Sequence, residues 1–177
     1  MRDVERRTII SRRSVLHGTA AIAAAGVAIS PTASWAQEAK ALSPRSMATL
    51  VRMARDIYPH DHIGDVFYVR AVTPWDAKAG SDAPTKALIE DGVGMLDGAS
   101  RARFATGYIE TPWEEQRVEI LRGMEGSAFF QKIRGDLVVS LYNQHDLWAK
   151  FGYEGSSADK GGYIHRGFND IDWLPQV

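Results

Sequence analysis

The sequence predicts an all-α fold: a compact domain of about five helices with an extended C-terminal tail rich in glycine and aromatic residues. Three observations carry this. Apolar side chains recur at steps of three and four in the segments beginning near Ser43, Thr85 and Ser127. Proline directly follows Ser or Thr at Ser43-Pro44, Thr73-Pro74 and Thr111-Pro112, the order of an N-cap and a first helical residue. From Gly152 to Val177 the helical spacing stops, and five glycines are interspersed with Tyr153, Tyr163, Phe168 and Trp173.

Residues 1–36 have the layout of an export leader. Arg12 and Arg13 stand in Ser11-Arg12-Arg13-Ser14-Val15-Leu16, a weakly apolar stretch runs from Gly18 to Ile29, and Ser34-Trp35-Ala36 offers small residues for scission. The paired arginines resemble the twin-arginine signal, which a receptor reads and which carries folded proteins. The apolar stretch has 12 residues, short of the roughly 20 that a transmembrane helix needs. Cleavage is therefore expected after Ala36, with residues 37–177 forming one domain of which 152–177 is the tail.

Gln37 to Leu42 reads as a linker. The first helix starts at Ser43-Pro44, buries Met47, Leu50, Val51, Ala54, Ile57 and Tyr58, and turns Arg45, Thr49, Arg52 and Arg55 outward; Pro59 stops it. A second helix begins near Asp65, although Val66, Phe67, Val69 and Val72 also suit a strand. Thr73-Pro74-Trp75-Asp76 marks a cap or a kink. Thr85 to Phe104 is a helix with Leu88, Ile89, Val93, Leu96 and Phe104 inward; its Gly92, Gly94 and Gly98 point to close backbone packing. Thr111-Pro112-Trp113-Glu114 reads as a capping box, opening a helix that ends at Gly123. The last helix spans about Ser127 to Lys150, with the stripe Phe130, Ile133, Leu137, Leu141, His145 and Trp148.

Composition narrows the chemistry. The leader holds five of the 21 basic and two of the 22 acidic residues, which leaves residues 37–177 at a net charge of −4. That balance argues against nucleic-acid binding, which uses a basic patch. The chain has no cysteine. Disulfides, thiolate-ligated iron–sulfur clusters, haem attached through Cys-x-x-Cys-His and a thiol nucleophile are thereby excluded.

The remaining motifs are sparse. His60, His62 and Asp65 stand close enough for a metal site, but no fourth ligand follows at a recognisable spacing, which favours a polar loop whose Asp61 or Asp65 caps the next helix. His145 on an apolar stripe suits a core or interface histidine better than a haem ligand or base. Gly161-Gly162-Tyr163-Ile164-His165-Arg166-Gly167 lacks the ending of a phosphate loop, so Arg166 is expected to bond a carboxylate such as Asp170 or one on a partner. No Gly-x-Ser-x-Gly elbow occurs. For the tail two readings stand open: it folds back on its own helices, or its aromatic side chains dock on another subunit.

Three segments carry a family resemblance: the leader Ser11-Arg12-Arg13-Ser14-Val15-Leu16; the first helix and its ending, Leu50-Val51-Arg52-Met53-Ala54-Arg55-Asp56-Ile57-Tyr58-Pro59-His60-Asp61; and the tail, Phe151-Gly152-Tyr153-Glu154-Gly155 with Gly161-Gly162-Tyr163-Ile164-His165-Arg166-Gly167-Phe168-Asn169-Asp170-Ile171-Asp172-Trp173. In these the chain resembles the gluconate 2-dehydrogenase subunit 3 family, small subunits of periplasmic flavin dehydrogenase complexes. The tail is the most specific of the three.

The resemblance implies a non-catalytic subunit that binds no cofactor itself. Its partners would be a large FAD-dependent subunit of the glucose–methanol–choline type, acting on a sugar, sugar acid or alcohol, and a cytochrome carrying c-type haem. It implies that the small subunit helps the large one fold and takes it through the twin-arginine translocase to the periplasmic side of the inner membrane. Tyr153, Tyr163, Arg166, Phe168 and Trp173 are then the expected partner-contact or tail-anchoring residues. The rival expectations are a small metal-dependent enzyme using His60, His62 and Asp65, and a free-standing periplasmic binding module.

Overall fold

The computed structural model describes residues 29–166 and residue 168. Arg12, Arg13, Asp170 and Trp173 lie outside the described residues. Helices α1 (Ser34–Gln37), α2 (Pro44–Ile57), α3 (Asp65–Val72), α4 (Pro74–Ser81), α5 (Ala83–Phe104), α6 (Glu114–Gly123), α7 (Ala128–Tyr142) and α8 (His145–Trp148) follow in order, with short 3-10 turns at Ala149–Phe151 and Ala158–Lys160. The fold is all-helical, and no strand occurs among the described residues. None of the described helices is long and apolar enough to cross a membrane.

Helix α2 is the hub, touching α1, α3, α5, α6 and α7. Its start is as expected: Pro44 opens it, and Ser43 Oγ accepts the Ser46 N–H. Its burial is wider than one stripe. Thr49 is fully buried with Leu50 and Val51, and Asp56 is buried too, because neighbours enclose the helix on several sides. Thr49 therefore does not face outward, and its hydroxyl finds no partner among the described residues.

The segment from Asp65 is helical, and Thr73-Pro74 is a junction between α3 and α4. Thr73 keeps helical backbone angles, and its hydroxyl donates to the Val69 carbonyl instead of capping α4. Asp82 caps α5 through Thr85 N–H. Within α5, Gly92 is packed against Phe129 of α7, whereas Gly94 and Gly98 meet nothing within 4 Å. Close approach thus explains only the first of the three.

The capping box at Thr111 does not form. Helix α6 begins at Glu114 without a side-chain cap. Thr111 Oγ1 donates to the Gly107 carbonyl 2.9 Å away, and the Thr111 and Pro112 carbonyls accept Arg117 Nη1 at 2.8 and 3.2 Å. Arg117 also makes a bidentate pair with Asp56, Nε to Oδ2 and Nη2 to Oδ1, both 2.8 Å. Tyr108 donates its hydroxyl to the same Oδ2 at 2.8 Å. Burial, and then the charge of Asp56, hold the Tyr108 phenol well above its ordinary range.

The expected Ser127–Lys150 helix is broken at Asn143. Phe130, Ile133, Leu137 and Leu141 are buried as their spacing requires. Beyond the break the register changes: Leu147 is buried, while His145 is exposed and rests on Trp148, ring centroids 4.0 Å apart. His145 is therefore not a core histidine.

Candidate functional site

The end of α7, the α8 turn and the first half of the tail form one apolar surface. Val138 and Val139 lie off the buried stripe of α7 and are 50% and 64% exposed. With Tyr142, Trp148, Phe151 and Tyr153 they line an open groove of about 580 Å³. Tyr153 also borders a smaller polar hollow shared with Tyr163 and Arg166, so the two features adjoin.

Local rules explain how the tail reaches this place. Gly152 has φ 70° and follows the 3-10 turn, a left-handed position that glycine adopts without strain. The reversal brings Tyr153 N–H to the Trp148 carbonyl at 2.8 Å and the Tyr153 ring edge-on to Trp148. Gly155, at φ 96°, lies beneath the same indole; an added Cβ there would approach it to 3.4 Å. Trp148 donates its indole N–H to the Tyr142 carbonyl, which anchors the platform.

The expected contact residues divide. Tyr153 is half exposed, whereas Tyr163 and Phe168 are 66% and 77% exposed and Ile164 is 77% exposed. Arg166 pairs with Glu154, which also receives Lys160, so its carboxylate partner is within the tail. The side-chain hydrogen bond from Lys160, aided by the charges of Lys160 and Arg166, holds the Glu154 carboxyl below its usual range. The fold-back reading describes the start of the tail, where Tyr153 packs on Trp148; Tyr163, Ile164 and Phe168 are exposed.

The three residues of the metal expectation are not brought together. Asp65 Oδ1 takes Arg55 Nη1 at 3.0 Å. His60 Nε2 lies 2.7 Å from the Tyr142 hydroxyl, and the His60 and His62 rings are edge-on, 5.6 Å apart, both packed on Phe151. Among the described residues no group of three or more His, Asp or Glu side chains is placed to hold a metal. Burial, then the proximity of His62 and Arg55, lowers the His60 pKa.

Sequence reasoning missed Val138, Val139, Tyr142 and Phe151. A signal was present in Val138-Val139: two β-branched residues beside a stripe that already had its apolar positions at Ile133, Leu137 and Leu141. A separate groove of about 530 Å³ between α5 and α6, lined by Met95, Ala99, Ala102, Ile120 and Met124 among others, is walled by the Arg103–Glu119 ion pair.

Comparison with family models, with curated proteins and with solved structures finds no match to this chain.

Proposed function

We propose that this chain is a non-catalytic small subunit of an exported FAD-dependent dehydrogenase complex, similar to the gluconate 2-dehydrogenase subunit 3 family. The catalytic partner is a glucose–methanol–choline type flavoprotein acting on a sugar, sugar acid or alcohol, and a cytochrome with c-type haem takes the electrons. The twin-arginine leader serves both subunits and delivers them to the periplasm.

The observation that supports this reading is the apolar groove of Val138, Val139, Phe151 and Tyr153, which adjoins the hollow bordered by Tyr163. An open groove lined by exposed apolar side chains suits a protein interface. Stable interfaces bury at least about 1,000 Å² in total, and the exposed Tyr163, Ile164 and Phe168 would add to that area. Binding to the folded flavoprotein stabilises that state by mass action.

Two experiments test it. Removal of Gly152–Val177 is expected to abolish co-purification with a flavoprotein; recovery of an intact, active complex refutes the docking role. Replacement of Arg12 and Arg13 by lysine is expected to hold both subunits in the cytoplasm. Normal periplasmic dehydrogenase activity in that double variant refutes the shared export.

A further inference from the structure

The geometry points to residues Ile29–Ala36 as a permanent part of the folded domain, so the bond after Ala36 is not the one cut when the leader is removed. This inference rests on the reading of the N-terminal segment as an export leader.

A peptidase that reads small residues one and three positions before the cut takes its substrate extended. It needs the scissile carbonyl free for its own donors and the preceding side chain free for its pocket. At Ala36–Gln37 all of these are occupied. Ala36 lies within α1, and its side chain is fully buried in the core. The Ala36 carbonyl accepts Ala39 N–H at 3.3 Å, and Gln37 N–H donates to the Ala33 carbonyl at 3.1 Å. Ile29, Ala33 and Trp35 pack against the same core.

The segment is also held from behind. Asp76 on α4 accepts three consecutive backbone N–H groups, from Lys40 at 2.9 Å and from Ala41 and Leu42 at 2.8 Å. Burial alone would raise the Asp76 carboxyl; these three donors outweigh it and hold the carboxyl below its usual range. Leu42 is buried beside the clamp. The expected linker is thus a fastened strap. Cutting after Ala36 requires it to open first, and proteolysis then follows the small open population.

The twin-arginine route presents the chain already folded, so the processed bond must be reachable in that state. The sequence Gly26-Val27-Ala28 has the same small-x-small order immediately ahead of the packed segment. Scission there leaves the strap intact.

Three measurements test this. In the purified full chain, Ala36→Asp is expected to lower Tm by about 10 °C or more or to prevent folding, because it buries an unpaired charge. The milder Asp76→Asn is expected to leave the helices folded while speeding proteolysis within residues 29–42 at least tenfold. If neither variant has its effect, the packing is overturned. Intact mass of the chain recovered outside the cytoplasm is then expected to include Trp35 and Ala36; a chain beginning at Gln37 overturns the inference. Confinement of the chain to the cytoplasm counts against the export reading and leaves the two stability results standing.

Discussion

Replacing Arg117 by methionine should cost this domain a large part of its stability. The side chains of Arg117 and Asp56 are only 6% and 2% exposed. The substitution removes two charge-assisted hydrogen bonds to Asp56 and the donor to two carbonyls, Thr111 and Pro112. It leaves a buried carboxylate with the Tyr108 hydroxyl as its remaining hydrogen-bond donor among the described residues. Breaking a buried pair from one side costs about 3–5 kcal/mol, against a total stability on the order of 5–15 kcal/mol. Replacing both partners, Asp56→Leu with Arg117→Met, removes the stranded charge. What remains are the unpaired Tyr108 hydroxyl and the Thr111 and Pro112 carbonyls without their Arg117 donor, about 1–3 kcal/mol for each buried group left unsatisfied. The double variant should therefore be more stable than Arg117→Met, with coupling of at least about 1 kcal/mol between the sites. Urea unfolding followed by far-ultraviolet circular dichroism and tryptophan fluorescence reads each value. Additive effects, or a loss below about 1 kcal/mol for Arg117→Met, would refute the network as described.

Gly92→Ala should destabilise by about 1–3 kcal/mol through overpacking, since the new methyl lies 2.6 Å from Phe129 Cδ1. Gly94→Ala and Gly98→Ala on the same helix meet nothing within 4 Å and should stabilise by about 0.5–1 kcal/mol each; thermal melts separate the three. Ala105 ends α5 at φ 60°, so Ala105→Gly should raise Tm, and a lowered Tm would contradict that left-handed end. The His60 pKa is lowered in the folded chain, so the unfolded chain binds the extra proton. Stability from His60 is complete above its unfolded pKa of about 6.5 and is lost as pH falls from there toward the folded value. His60→Gln should flatten the urea midpoint across that window, and an unchanged slope would remove the effect.

The helices were legible where one local rule acted alone. Ser43-Pro44 caps as its chemistry requires, and Ile133, Leu137 and Leu141 are buried at their spacing. Reading failed where distant groups competed for the same atoms. Thr111 looked like a cap, but Gly107 and Arg117, groups outside the cap itself, take its hydroxyl and carbonyl. The stripe to His145 and Trp148 assumed an unbroken helix, and a break at Asn143 turns Leu147 inward instead. The linker at Gln37–Leu42 is held by Asp76, more than 30 residues away, a distance that periodicity does not register. The exposed apolar groove was half legible. Its tail aromatics stand out in the sequence, whereas Val138 and Val139 become meaningful only once the other face of α7 is seen to be buried.

The most direct test of the proposed role is affinity purification of the full chain from the extracytoplasmic fraction of its own cells, comparing wild type with Val138→Asp/Val139→Asp. These two substitutions lie on the exposed face of α7 and should leave the melting of the isolated chain almost unchanged. The expected result is a wild-type eluate with the absorbance of FAD and dye-linked dehydrogenase activity, both lost in the variant. A wild-type chain that elutes alone and without flavin, or a flavin-bearing complex unaffected by two aspartates in the groove, would contradict it.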